Sequence, residues 1–107
     1  MSILGTKCKV IVTNPIGSTL DTNPDIVFGV NYGIVENEFD AAGEPQGAYI
    51  LGIDKPISTF EGRLIGIIHR TNDTVNNWVV SNIHYRKEEI LEMVDFMEKY
   101  FNVEVII

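Results

Sequence analysis

The sequence has few of the residues that build disulfide-bonded, zinc-binding or membrane-spanning proteins. Its single cysteine, Cys8, excludes an internal disulfide, and Cys and His residues nowhere cluster at zinc-binding spacing. Cys8 lies in an apolar run, which favours a small buried side chain over a reactive thiol. No stretch of about 18 apolar residues is present, and no apolar segment follows a basic start. We therefore expect a soluble, cytoplasmic protein with no membrane partner.

Basic residues are also scarce. The chain has 8 Lys and Arg against 15 Asp and Glu, which gives a formal net charge of -7 at pH 7. Nucleic acids and anionic membranes select clustered Lys and Arg, so this balance argues against both as partners. A phosphorylated small molecule remains compatible with the balance if a few cations converge locally or if a metal ion bridges two negative partners.

The length of 107 residues is that of one domain, and residues 1–107 should bury enough apolar surface for one ordinary core. No repeat, low-complexity tract or linker interrupts the chain. Runs rich in β-branched residues, bounded by Gly, Pro and Asn, predict strands. The predicted strands cover residues 7–13, 25–30, 48–54, 63–70 and 78–81, and residues 103–107 form a last strand or an extended tail. Residues 14–24 have the composition of a loop, and residues 71–77 that of a polar turn.

One segment, residues 85–101, has the apolar spacing of an amphipathic helix. Its apolar stripe consists of Ile90, Leu91, Val94, Met97 and Phe101. The acidic residues of the segment are expected to face solvent, and Asn102 is the expected C-terminal cap. Many short strands and one C-terminal helix predict a mainly β (α+β) fold, a small closed or nearly closed sheet with the helix packed on it.

Residues 31–52 organise the chain as a strand, a tight turn and a second strand. Gly43 and Gly47 permit positive φ or close approach, and Pro45 presets its own φ, so the turn is held between two buried strands. Tight turns on rigid strands are frequent positions for functional sites.

This stretch resembles the signature region of the soluble family I inorganic pyrophosphatases. The family's turn reads Asp-Gly-Asp-Pro-x-Asp, and its three carboxylates hold magnesium ions beside pyrophosphate. The corresponding positions here are Ala42, Glu44 and Gly47, so one carboxylate of three remains. The resemblance extends over about residues 30–101 and implies an OB-like barrel of five to six strands with a helix near the C-terminus.

The resemblance also implies roles for residues further along. Residues 69–80 match a family hairpin that carries two aspartates and a lysine. Asp73 could stand for the first aspartate, whereas Asn76 and Asn77 replace the later Asp and Lys. In the terminal helix, Tyr100 matches a family tyrosine, and Tyr32 likewise could place a phenol on a phosphate oxygen.

Hydrolysis of pyrophosphate needs several hard oxygen ligands that hold two or more magnesium ions. Oxygen ligands near the turn are offered by Glu36, Glu38, Asp40 and Glu44, with Asp73 opposite. Glu44 and Asp73 are the candidate metal ligands, and with Asp40 they are the candidate catalytic residues if hydrolysis survives. This set could support one loosely held magnesium ion, but a multi-metal cluster is not expected.

Arg70 ends an apolar strand and is the best candidate for binding an anion, because its planar fork matches phosphate. Its alternative role is an ion pair with one of the abundant carboxylates. The full set of candidate ligand-binding residues is Tyr32, Arg70, Asn76, Asn77 and Tyr100.

Three functions remain open from the sequence. The first is a non-catalytic protein of the pyrophosphatase fold that binds or sequesters a phosphorylated small molecule, such as a nucleotide or nucleotide-derived signal. The second is a divergent magnesium-dependent inorganic pyrophosphatase or related phosphohydrolase. The third is a protein-interaction module with a vestigial pocket. A homo-oligomer is expected for each, because small barrels have edges to cover.

Overall fold

The computed structural model describes residues 3–71 and 75–107. These residues form eight strands and one helix. In chain order the elements are β1 (Lys7–Asn14), β2 (Thr19–Leu20), β3 (Asn23–Val27), β4 (Asn31–Phe39), β5 (Pro45–Ile50), β6 (Thr59–Arg70), β7 (Asn76–Ser81), α1 (Lys87–Glu98) and β8 (Val103–Ile106).

Five of the strands close into a mixed barrel in the order β1, β4, β5, β7, β6 and back to β1. All neighbours are antiparallel except β5 and β7, which run parallel. Closure depends on β1, which pairs with β4 through Val10 and Val35 and with β6 through Lys7 and Arg63. The predicted mainly β, OB-like barrel with one C-terminal helix is confirmed.

Three strands, β2, β3 and β8, lie outside the five-stranded barrel. Strand β6 is 12 residues long, so its first half pairs with β1 and its second half pairs with β8. Strands β2 and β3 form a separate two-stranded sheet. The prediction of a loop over residues 14–24 was therefore wrong in part, because Thr19–Leu20 and Asn23–Val27 pair with each other despite their polar composition.

Buried apolar side chains form two clusters. One joins the helix to the strands and includes Tyr49, Ile68, Ile90 and Val94. The other comes from the strands and includes Cys8, which is buried as predicted. Successive β5 residues supply both clusters, as expected for a strand that is covered on its two faces.

The helix is shorter than predicted and ends at Glu98 with Lys99 as its C-cap, so Asn102 does not cap it. At its start, Glu89 Oε1 accepts a hydrogen bond from the backbone N–H of Arg86 at 3.0 Å, and this bond lowers the pKa of Glu89. Leu91 is 39% exposed and is not part of the buried stripe. Among the described residues, no helix is long and apolar enough to span a membrane.

Other strand boundaries also differ from the predictions. Strand β5 begins at Pro45 and ends at Ile50, earlier than the predicted 48–54 at both ends. Asn76 and Asn77, predicted in a turn, begin β7 and pair with His69 and Ile68 of β6. In this register the Asn77 side chain is buried and lines a cavity of the barrel.

Candidate functional site

A buried carboxylate lies at the centre of the candidate site. Glu98 was expected on the solvated face of the helix, but its exposed fraction is only 2%. It follows Ile90 and Val94 at intervals of four residues, and these three residues are the buried ones of the helix. A buried charge needs a partner and hydrogen bonds, and the strands provide both.

Arg70, the last residue of β6, pairs with Glu98 through two parallel hydrogen bonds. Arg70 Nε donates to Glu98 Oε1 at 3.0 Å, and Arg70 Nη2 donates to Oε2 at 2.8 Å. The ring of Phe101 covers the guanidinium, with Arg70 Cζ 3.7 Å from the ring centroid. Burial opposes the charge on Arg70, but the hydrogen bonds and charge of Glu98 outweigh it, so the pKa of Arg70 is raised.

Two further side chains donate to the same carboxylate oxygen. The hydroxyl of Tyr49 donates to Glu98 Oε2 at 2.5 Å, and Asn77 Nδ2 donates to it at 3.4 Å. Burial, reinforced by the charge of Glu98, raises the pKa of Tyr49 far above its ordinary value. Tyr49 therefore acts as a neutral donor at physiological pH.

Tyr32 extends this network by one step. Its hydroxyl donates to Asn77 Oδ1 at 2.8 Å, which fixes the orientation of the amide that faces Glu98. Burial raises the pKa of Tyr32 to about 12. The Tyr32 and Tyr49 rings meet edge to face with centroids 4.9 Å apart, so the two phenols are held by packing as well as by hydrogen bonds.

A cavity of about 200 Å³ opens above this network. Its polar wall contains Tyr32, Tyr49, Arg70 and Asn77, together with Asn14. Its apolar wall consists of Leu20, Phe28 and Met97. The cavity thus combines a guanidinium, amides and phenols with an apolar surface, which is typical of small-molecule sites.

A larger cavity of about 710 Å³ lies elsewhere and is lined by residues that include Leu4, Arg63, Ile83, His84 and Ile107. None of the predicted site residues that the structure describes lines it. The smaller cavity is the better candidate because its polar groups converge and are themselves fixed by hydrogen bonds.

The turn between β4 and β5 carries Asp40 and Glu44 but uses Asp40 for its own structure. Asp40 Oδ1 accepts hydrogen bonds from the backbone N–H groups of Ala42 and Glu44, at 2.9 and 3.0 Å. Gly43 has a positive φ of 81°, as the turn prediction required. Glu44 is exposed.

The third carboxylate position of the resembled turn is Gly47, which has no room for a side chain. A β-carbon there would overlap the hydroxyl of Tyr32 and would lie 2.8 Å from Asn77 Oδ1. The Tyr32–Asn77 hydrogen bond thus occupies the space that a carboxylate would need. The residues present do not fit the three-carboxylate magnesium site that the resemblance implies. Within residues 3–71 and 75–107, no group of three or more His, Cys, Asp or Glu side chains could hold a metal ion.

Several predicted residues are not brought to the cavity. Tyr100 is 57% exposed and lies beyond the helix end, where Lys99 Nζ approaches its ring. Asn76 is next to Asn77 but bonds through Oδ1 to His69 Nδ1 at 2.7 Å. Glu36 and Glu38 are exposed on β4. Asp73, a predicted metal ligand, lies outside the described residues.

Sequence reasoning missed Glu98 and Tyr49. The signal for Glu98 was its spacing, because it continues the interval of four from Ile90 and Val94 and so falls on the apolar stripe. Tyr49 lies in an apolar run, and its sequence context does not indicate that its hydroxyl meets a carboxylate on the helix.

No protein-family model matches the chain, and no curated protein sequence matches it. Solved structures do match. An inorganic pyrophosphatase from Ehrlichia chaffeensis superposes with a TM-score of 0.70 at 12% identity, covering 96% of this chain and 86% of that one. The enzyme from Helicobacter pylori gives 0.64 at 19% identity, with coverages of 98% and 85%. The enzyme from Thermus thermophilus gives 0.61 at 14% identity, with coverages of 99% and 85%. At these identities the likeness shows the fold alone: the chain has the fold of the inorganic pyrophosphatases.

Proposed function

We propose that this chain is a binding protein built on the pyrophosphatase fold, which holds a phosphorylated small molecule without hydrolysing it. The ligand class is a nucleotide or a molecule derived from one. Arg70 and the neighbouring amides and phenols would contact the phosphoryl group, and the apolar wall would contact the rest of the molecule.

The observation that carries this proposal is the packing at Gly47. Phosphoanhydride hydrolysis by this fold requires a cluster of carboxylates on metal ions, as the family resemblance implies, and metal ions lower the barrier by neutralising charge and activating water. Here two of the three turn positions lack a carboxylate, and Tyr32 fills the space beside the third. Loss of the metal ligands beside a retained polar cavity favours binding over turnover.

The cavity supports the second half of the proposal. Arg70 is held in place by its bidentate contact with Glu98 and by the Phe101 ring, so its orientation is fixed before a ligand arrives. Preorganised groups lose little entropy on binding. The apolar wall of Leu20, Phe28 and Met97 gives a surface for a ring or alkyl group beside the phosphoryl group.

A paired assay tests the proposal. Phosphate release from pyrophosphate is measured with magnesium, and thermal stability is measured against a panel of nucleotides and cyclic nucleotides. We expect stabilisation by at least one ligand without phosphate release. A ligand at a hundred times its Kd stabilises the folded state by about 2.7 kcal/mol, which is readily detected.

A matched pair of variants ties the effect to the cavity. Leu20→Trp places a large side chain on the cavity wall and should abolish the ligand-induced shift. Val27→Trp is the control, because Val27 lies in the same two-stranded sheet but is 51% exposed and does not line the cavity. An equal response of both variants to ligand would contradict binding at this cavity.

The alternative, a divergent magnesium-dependent pyrophosphatase, is favoured by two observations. The similar solved structures are described as inorganic pyrophosphatases, and Asp40 and Glu44 lie on one turn. Magnesium-dependent phosphate release that Glu44→Gln abolishes would establish this alternative and overturn the proposal. A lack of both turnover and ligand-induced stabilisation would instead favour an interaction module. For such a module, size-exclusion chromatography of the purified protein should show the expected homo-oligomer.

A further inference from the structure

The charges on the cavity wall nearly cancel. Arg70 is the only lysine or arginine among the described residues that line the cavity. Positions 1, 2 and 72–74, which lie outside the description, contain neither residue type. Any anionic ligand must therefore be met by a single permanent positive charge.

That positive charge is already matched by a negative one. Both carboxylate oxygens of Glu98 accept hydrogen bonds from the Arg70 guanidinium, at 2.8 and 3.0 Å, and Glu98 is 2% exposed. The two phenols on the wall, Tyr32 and Tyr49, add no charge at physiological pH, because the pKa of a phenol is about 10 and burial raises it further at both positions. Counted over the described residues, the wall carries close to zero net charge inside a chain of net charge -7.

Because Glu98 already cancels the charge of Arg70, the wall does not fully compensate any ligand charge, and the cost of binding rises with each charge that the ligand carries. Metal ions could neutralise ligand charge, but two of the three turn positions that would supply metal-binding carboxylates are occupied by Ala42 and Gly47. The Tyr32 hydroxyl fills the space that a side chain at position 47 would need. Transfer of a charge from water to a partly buried site is costly unless a partner meets it. The repulsion from Glu98 adds to that cost, because it acts at short range in a medium less polar than water.

We infer that the ligand of this cavity is a singly charged phosphodiester joined to a ring or another apolar group, rather than a phosphomonoester, pyrophosphate or a polyphosphate. This inference rests on the proposed function and adds the charge class of the ligand. The single charge meets Arg70, and the apolar group meets Leu20, Phe28 and Met97. A volume of about 200 Å³ accommodates the phosphodiester and one ring, so a larger ligand extends out of the cavity.

A matched pair of small esters tests the charge class. Methyl phenyl phosphate carries one negative charge, whereas phenyl phosphate carries two at about pH 8, since the second pKa of a phosphomonoester is about 6. Binding of each ester and of pyrophosphate is measured by calorimetry on the wild-type chain without metal. We expect methyl phenyl phosphate to bind at least about tenfold more tightly than phenyl phosphate, a ratio well within the resolution of the method.

The role of Glu98 in this selectivity is tested by Glu98→Gln. The variant removes one negative charge and keeps the side-chain shape, so phenyl phosphate, the dianion, should bind more tightly than it does to the wild type. The affinity ratio of methyl phenyl phosphate to phenyl phosphate should therefore fall by about tenfold or reverse. Glu92→Gln is the control, because it makes the same change in net charge on an exposed part of the same helix and should leave the ratio unchanged. An unchanged affinity ratio of the two esters in Glu98→Gln would contradict the claim that the Glu98 charge disfavours a doubly charged ligand. Because the comparison of the two esters on the wild-type chain needs no variant, it decides the charge class even if Glu98→Gln does not fold.

The outcomes separate this inference from the function on which it rests. Tighter binding of phenyl phosphate or pyrophosphate would overturn the charge class and leave a phosphate-binding protein. Failure of all three probes and of the nucleotide panel to bind would overturn both.

Discussion

The hydroxyl of Tyr32 occupies the space that a β-carbon on Gly47 would need, and it is held there by its hydrogen bond to Asn77. Gly47 corresponds to a carboxylate position in the turn that the sequence resembles. A side chain at position 47 therefore requires Tyr32 to move. Tyr32 cannot move without giving up its hydrogen bond to Asn77, whose amide nitrogen donates to Glu98.

Gly47→Ala should lower the free energy of unfolding by about 1–3 kcal/mol, because overpacking displaces Tyr32. Urea unfolding measures the change. Gly29→Ala is the control, since its nearest contact would be an ordinary 3.6 Å to Phe96, and a change within about 0.5 kcal/mol is expected. In combination with Tyr32→Phe, the cost of Gly47→Ala should decrease because the overlapping oxygen is gone. Equal costs in both backgrounds would show that Tyr32 is not the obstacle.

Glu98→Ala should destabilise the fold by about 3–5 kcal/mol, because the largely buried Arg70 side chain loses the carboxylate that accepts its two hydrogen bonds. Glu92→Ala, on the exposed side of the same helix, should change stability by less than about 0.5 kcal/mol. Replacing both partners, as in Arg70→Met with Glu98→Leu, should recover much of the loss. A double variant as unstable as the sum of its parts would contradict the ion-pair explanation.

Asp40→Ala should cost about 1 kcal/mol, because two backbone N–H groups of the turn lose their acceptor. Asp40→Asn keeps an acceptor oxygen and should have a smaller effect. Thermal unfolding with and without magnesium measures both variants. If Asp40 instead serves a magnesium ion, Asp40→Asn would remove a magnesium-dependent stabilisation that the wild type shows.

Alkaline pH should destabilise the fold through Tyr32. Its pKa rises from 10.0 to about 12 on folding, so the neutral form contributes stability that is fully present below pH 10 and is lost as the pH rises through about 12. The two-unit shift corresponds to about 3 kcal/mol. The free energy of unfolding, measured with urea between pH 10 and 12, should decline more steeply with pH for the wild type than for Tyr32→Phe. Tyr100→Phe, at an exposed position, should behave like the wild type.

The barrel and the helix could be predicted from the sequence because their signals are local. Strand β6 shows as an apolar run bounded by charge, and α1 shows by the spacing of Ile90 and Val94. The turn predicted over positions 42–47 is present around Gly43, whose positive φ favours glycine, whereas Pro45 already begins β5. Each of these features depends on neighbours in the chain.

The site could be predicted only in part because its contacts join distant elements. Arg70 was identified as the anion-binding candidate, and the ion pair that was its alternative is present, but its partner Glu98 was assigned to solvent. Composition does not reveal which of 15 acidic residues is buried. Likewise, Asn77 became a buried link between Tyr32 and Glu98 only through its register on β7, and a one-residue shift would have turned it to the other face.

The closure of the barrel by β1 and β6 also has a consequence for how the chain folds. Lys7 and Arg63 are paired neighbours in the closed barrel although about half of the chain separates them. Because the entropy of closing so long a loop is lost before the contacts between β1 and β6 are made, we expect barrel closure to come late in folding. During synthesis, β1 can pair with β4 first, but its other edge has no partner strand until β6 has emerged.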